Sequence, residues 1–97
     1  MSTDKKQDEF YENLRSKLYA TASWPSEYLY KFIILSDNRN IAEIENIFDN
    51  MGAVIKTKPS TNGKYTSLSI NLQMATPESV IEKYKEVIEK VEGVISL

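Results

Sequence analysis

The apolar residues of this chain switch between helical and strand spacing, and each switch marks an element. Phe10, Leu14 and Leu18 fall four apart with Tyr11 alongside, which predicts an amphipathic helix over 8–22. A helix this short is marginal alone, so its stripe is expected to pack on the rest of the domain. The polar residues before it, 1–7, are expected to form a disordered tail. Ser23-Trp24-Pro25-Ser26 ends the helix, because Pro25 pushes the residue before it out of α geometry. Trp24 is expected to anchor this corner in the core. Glu27 to Leu35 then reads as a strand, with Tyr28, Tyr30, Phe32 and Ile34 on one side. Leu29, Lys31, Ile33 and Leu35 occupy the other. Both sides are largely apolar, the mark of a central strand. Lys31 assigns its own side to the face away from the main core.

Ser36–Asn40 reads as a loop ending in helix-capping residues. Ile41, Ile44, Ile47, Phe48 and Met51 return to helical spacing, and Gly52 is expected to stop that helix. Strand spacing resumes at about 53–59 and 64–73, on either side of Asn62-Gly63. Asn-Gly between two such runs predicts a hairpin, because a two-residue turn needs positive φ at both positions. A wider loop over Ser60–Lys64 is the alternative. With the tight turn, Thr57 faces Leu68, Ile55 faces Ile70 and Ala53 faces Leu72. Lys58 then pairs with Ser67, Lys56 with Ser69 and Ser60 with Tyr65 on the opposite face. A one-residue slip would carry the lysines into the core, so turn and pattern choose the same register. Pro59 has no N–H for a ladder and places its strand at a sheet edge.

Thr76 can cap the last helix, Pro77 suits its first turn and Glu78 its positive end. Val80, Ile81, Tyr84, Val87, Ile88 and Val91 form its apolar stripe, Gly93 ends it, and Val94–Leu97 reads as a short final strand. After the first helix the order is strand, helix, strand, strand, helix, strand. Two right-handed crossovers around a hairpin predict an α+β, ferredoxin-like βαββαβ sandwich. Its four-stranded antiparallel sheet should have the order 4-1-3-2, with two helices on one face. Residues 8–97 would form a single ferredoxin-like, ACT-like domain that includes the extra helix at its start. The other face is expected to carry Leu29, Lys31, Ile33, Lys56, Lys58, Tyr65, Ser67, Ser69 and Asn71. The first helix, a second subunit or a ligand must deal with it.

Composition narrows the chemistry. The 97 residues suit one core. The chain has no Cys and no His, which removes disulfides, thiol nucleophiles, Cys/His zinc sites and histidine acid–base catalysis. The formal net charge of -2 gives no blanket attraction to nucleic acid or anionic membrane. No apolar run reaches membrane-spanning length and no signal core follows the polar N-terminus, so cytoplasmic residence is expected. No glycine-rich phosphate loop or metal motif is present. No catalytic residues, metal or cofactor are expected.

Trp24-Pro25 followed by Tyr30-Lys31-Phe32 resembles the first-strand signature of the YbeD-like family of small bacterial proteins of unknown function. Lys58-Pro59-Ser60-Thr61-Asn62-Gly63-Lys64-Tyr65-Thr66-Ser67-Leu68-Ser69 is similar to that family's most distinctive segment. Ala75-Thr76 and Val94-Ile95-Ser96-Leu97 look like family features too, so the resemblance covers roughly 24–97. It implies the ferredoxin-like fold, close to ACT-type regulatory domains that bind amino acids, and it implies no mechanism. Ser36 departs from it, since relatives tend to have glycine after the first strand. ACT-type domains use glycine near that junction to let backbone approach a ligand.

The expected function is that of a non-catalytic regulatory or binding module working through the helix-free sheet face and the hairpin. Lys31, Lys58, Ser60, Gly63, Tyr65, Ser67 and Ser69 are the candidate ligand-binding residues. Ammonium and hydroxyl donors so placed suit a small anionic ligand or an acidic protein segment. The alternative is an assembly role, a homodimer formed through the open face or an edge strand. Single-stranded RNA ranks lower, because Ser67 and Ser69 stand where a further base-stacking aromatic is needed. No membrane partner is expected.

Overall fold

The computed structural model describes residues 2–96, with side chains from Lys6 onward. In chain order the elements are α1 (Ser2–Thr21), β1 (Ser26–Leu35), α2 (Asn38–Ile47), β2 (Val54–Pro59), β3 (Tyr65–Met74), α3 (Pro77–Lys90) and β4 (Ile95–Ser96). The fold is α+β, with three helices and one four-stranded antiparallel sheet among the described residues. From the hairpin edge the strands run β2-β3-β1-β4, which from the opposite edge is β4-β1-β3-β2. Pro59 thus lies on an edge strand, where its missing N–H breaks no ladder.

Several boundaries differ from those the sequence predicts. α1 is helical from Ser2, so the stretch expected as a tail is helix there, with Met1 outside the described residues. Lys5, Lys6 and Gln7 hold helical geometry well and no Gly or Pro interrupts them. α2 starts at Asn38 rather than after Asn40, because the Asp37 carboxylate accepts from the Arg39 N–H at 2.8 Å. It ends at Ile47, and a turn follows in which Asn50 and Gly52 take positive φ (61° and 69°). Gly52 therefore leads into β2 and does not cap the helix directly. At α3 the Thr76 hydroxyl accepts from the Ser79 N–H while the Ser79 hydroxyl accepts from the Thr76 N–H, both at 3.1 Å. β4 is confined to Ile95–Ser96, and the predicted strand residue Leu97 lies outside the described residues.

The hairpin keeps the predicted register with a different turn. Thr57 pairs with Leu68, Ile55 with Ile70, Lys58 with Ser67 and Lys56 with Ser69. The tight Asn62-Gly63 turn is replaced by the wider loop. The Gly63 N–H donates to the Ser60 carbonyl at 2.9 Å, and the Ser60 N–H donates to the Tyr65 carbonyl at 2.7 Å. Among the described non-glycine residues only Asn50 has positive φ, so Asn62 does not adopt the conformation a two-residue turn requires. Its side chain instead accepts from the Lys64 N–H and the Ser60 hydroxyl, each at 3.0 Å. Both loops preserve the same pairing parity, which is why the register survives. Gly63 has φ of 74°, and a Cβ placed there would meet nothing within 4 Å, so its constraint is purely backbone. Gly63→Ala is expected to lower stability by about 1 kcal/mol. Urea denaturation checks this, and no loss would contradict the left-handed conformation.

The core lies between the sheet and the helices. Tyr30, Phe32 and Ile34 of β1 and Leu68, Ile70 and Leu72 of β3 meet Ile44, Ile47, Phe48, Val80, Tyr84 and Val87, all buried. The Tyr30 ring centroid lies 4.8 Å from those of Tyr28 and Tyr84 and 5.1 Å from that of Phe48. Its hydroxyl donates to the Val80 carbonyl at 2.9 Å, and the Tyr28 and Tyr84 hydroxyls share a 2.7 Å hydrogen bond. Each tyrosine thus satisfies its polar end inside the core.

α1 packs against α3. Tyr11, Leu14, Leu18 and Trp24 are half-buried against the core, and the Trp24 indole N–H donates to the Leu18 carbonyl at 3.1 Å. Phe10, expected in the packed stripe, is 64% exposed. Tyr11 takes that place, one position further round the helix. The Tyr19 hydroxyl donates to the Glu78 carboxylate at 2.6 Å, and the Arg15 guanidinium lies 3.5 Å from it. The hydrogen bond from Tyr19 holds the Glu78 carboxyl below its ordinary value. The extra helix therefore joins the helical layer and leaves the opposite sheet face to solvent.

Candidate functional site

Strand pairing arranges the open face in rows. Leu29, Asn71 and Val54 form one row, and Lys31, Ser69 and Lys56 form the next. Ile33, Ser67 and Lys58 follow, with Ile95 beside Ile33 on the far strand. Leu35 and Tyr65 close the series near the hairpin. Alternation along each strand fixes this layout, since the residues between point to the helical side, into the core on β1 and β3. Successive rows stand about 7 Å apart, two residues along a strand.

Two shallow depressions mark the face. The first, about 660 Å³, is lined by Leu29, Lys31, Val54, Lys56, Ser69 and Asn71, with Glu27, Gly52, Leu72 and Gln73 at its margin. The second, about 420 Å³, is lined by Ile33, Lys58, Pro59, Ser60, Thr61, Tyr65 and Ser67. The structure thus divides the residues that the sequence singles out. Lys31 and Ser69 belong to the first depression, and Lys58, Ser60, Tyr65 and Ser67 to the second. Gly63 lines neither and belongs to the loop tip. Ser60 is committed to the loop, its hydroxyl donating to Asn62 and accepting from the Tyr65 N–H at 3.0 Å. The Ser67 hydroxyl donates to the Lys58 carbonyl at 3.3 Å. Ser69, set between Lys31 and Lys56, makes no side-chain hydrogen bond among the described residues.

Lys56 is the residue that the candidate set lacked. It shares the parity of Lys58 and faces Ser69 across the ladder, a signal present in the alternation itself. Lys31, Lys56 and Lys58 are exposed, and none enters an ion pair among the described residues. The pairs that form join Arg15, Lys83 and Lys90 to glutamates on the helical side. Charge is segregated: a nearly neutral chain presents three lysines on one face, with Glu27 the acid at its margin. Low dielectric is absent here, so the lysines act as hydrated point charges that attract anions over about a Debye length, ~8–10 Å.

Other chemistry lies elsewhere. Burial pushes the Tyr30 and Tyr84 hydroxyls far above their ordinary range, and both point into the core. Ser36, which stands where the resembled family tends to have glycine, donates or accepts a 2.7 Å hydrogen bond with the buried Thr66 hydroxyl. Its side chain thus satisfies a core polar group at the β1–α2 junction. Among the described residues no group of acidic side chains has the arrangement of a metal site. No described helix is long and apolar enough to cross a membrane.

Comparison with curated proteins and with solved structures gave no match. A family model described as "protein of unknown function (DUF493)" matches residues 20–96. The match begins at the end of α1 and takes in every described strand, α2 and α3. It also includes the hairpin segment that carries the YbeD-like resemblance. With most of its length matched, the chain belongs to this family, DUF493.

Proposed function

We propose that the protein is a non-catalytic binding or regulatory module, a ferredoxin-like, ACT-like sandwich whose helix-free sheet face receives an anionic partner. One observation carries this reading. The extra helix packs on α3, so the face bearing Lys31, Lys56 and Lys58 stays open, and none of these lysines is paired among the described residues. Ser67 and Ser69 add hydroxyl donors between them. Such a face holds carboxylate or phosphate oxygens through charge-assisted hydrogen bonds. The strand arrangement β4-β1-β3-β2 with α2 and α3 on one face supports the ferredoxin-like description. Cytoplasmic residence fits the reading.

A thermal-shift screen against amino acids, nucleotides and anionic metabolites tests it. A stabilising ligand should lose its shift in Lys31→Ala/Lys56→Ala and in Lys58→Ala, with the ligand-free melting temperature changing little. By linkage, a ligand at about 100 times its Kd adds about 2.7 kcal/mol. A shift that survives all these substitutions overturns the assignment of the site.

Assembly through the same face is a second reading, favoured by Leu29, Leu35, Val54 and Ile95, each about half exposed. A mass in light scattering that stays monomeric over a wide concentration range would exclude it.

A further inference from the structure

We infer that the open sheet face docks an amphipathic, acidic α-helix of another protein. The inference rests on the binding reading above and names the occupant. The face is not uniformly polar. Its lysine row, Lys31 and Lys56, separates an apolar row at Leu29 from one at Ile33, and Lys58 and Tyr65 border the latter. Half-exposed aliphatic side chains flank cations. A small anion would use the cations and leave the apolar rows wet. A segment offering apolar, acidic and apolar groups in turn would use both.

Spacing and backbone chemistry choose the helix. Leu29 and Ile33 lie four residues apart on β1, about 13 Å. A helix offers apolar residues at i and i+7 or i+8, about 10–12 Å apart, and an acid at i+3 or i+4 between them. An extended segment could match the spacing, but a segment lying on a sheet face finds no ladder groups there. Ladder groups lie in the plane of the sheet, where β3 is paired on both sides and β1 is paired with β3 throughout and with β4 at Phe32 and Ile33. Its own N–H and C=O groups would lose water without replacement. A helix satisfies them internally. The alternative route, strand addition at the β2 edge, is hindered by Pro59 and by Lys56 and Lys58.

Charge and side-chain type disfavour the other occupants. Two copies stacked face to face about a two-fold axis would bring the unpaired lysines of each toward those of the other. Single-stranded RNA would find cations but, on this face, one exposed aromatic, Tyr65, and aliphatic residues where stacking platforms are needed.

The test is selection of binders from a random 16-residue peptide display library on the full-length protein. Selected peptides are synthesised, their site is mapped by amide NMR shifts, and their bound helicity is measured by circular dichroism. Expected are peptides with acidic residues three or four positions from apolar ones. They should become helical on binding, shift β1 and β3 amides, and weaken with salt. Lys31→Glu/Lys56→Glu should lower their affinity at least ten-fold. Lys31→Gln/Lys56→Gln serves the same purpose should the charge reversal impair folding. Peptides that map to this face but bind extended overturn the helix and leave the binding reading standing, whereas peptides that bind it without acidic residues overturn both. Peptides that map elsewhere, or a selection that yields no binder, overturn the inference, and the thermal-shift screen then decides the binding reading. Competition of the selected peptides by labelled oligouridine of higher affinity assigns the face to RNA and overturns the inference. So does a dimer in light scattering that Ile33→Glu converts to monomer.

Discussion

Phe32→Ala is expected to remove about 3–5 kcal/mol, enough to unfold a large fraction of molecules in a domain of ordinary stability. Phe32 is fully buried on the central strand, its ring stacked 5.8 Å from Tyr30 and edge-on to Tyr84 at the same distance. Truncation removes the transfer energy of the ring and leaves a cavity between β1 and α3 that rigid neighbours cannot fill. Ile33→Ala, one position along, removes a side chain from the open face and should cost about 1 kcal/mol or less. Urea denaturation of the two variants makes the comparison. Similar midpoints would mean that β1 does not present Phe32 to the core and Ile33 to the open face.

Removal of residues 1–19 is expected to leave a folded domain that is less stable by about 2–4 kcal/mol. A fully buried Leu-sized side chain contributes about 1.5–3 kcal/mol, and Tyr11, Leu14 and Leu18 are only half-buried. Their loss also uncovers Ile81 and part of Tyr84 on α3, while the open sheet face is unchanged. The truncated chain retains the whole family-matched span, 20–96. Its amide spectrum should therefore keep native shifts in β1 and β3 and change along α3. An unchanged melting temperature would contradict the packing of α1 on α3. Shifts concentrated at Leu29, Lys31 and Ser69 would instead place α1 over the open face.

These two experiments probe a boundary between what alternation dictates and what packing chooses. The parity of Lys56, Lys58, Ser67 and Ser69 relative to Ile55, Leu68 and Ile70 follows from the two-residue strand period. The open face and the hairpin register could be read from it. The turn could not. Asn-Gly suits a two-residue loop, yet Asn62 uses its side chain to bind the Lys64 N–H and the loop widens around Ser60. Local propensity offered both solutions, and only the closing hydrogen bonds distinguish them. The helix start at Asn38 was similarly hidden, because Asp37, Asn38 and Asn40 are all residues that cap.

The candidate site divides along the same line. Lys31, Lys58, Ser67 and Ser69 could be assigned to one face by parity alone. Ser60 and Gly63 were candidates by their place at the hairpin tip, where the Ser60 hydroxyl donates to Asn62 and accepts from the Tyr65 N–H, and the Gly63 N–H donates to the Ser60 carbonyl. Phe10 and Tyr11 are adjacent on a helix whose rotation about its axis is set by its partner, so the stripe did not reveal which would be buried.

The amino-acid sequence by itself determined the order of elements, the edge position of Pro59, the buried side of β1 and the family. The first three follow from short-range periodicity and from residues whose backbone limits are intrinsic, and the family from the motifs of the hairpin segment and the match over 20–96. Only the tertiary structure decided where α1 goes. Its apolar stripe could have covered either the exposed aliphatics of the sheet or the flank of α3, and both burials are favourable. Docking on α3 lets Tyr19 and Arg15 reach Glu78 and lets Trp24 close the corner against Leu18. The sheet face, rich in lysines, offers one carboxylate, Glu27, at its margin. That choice is what leaves the face open.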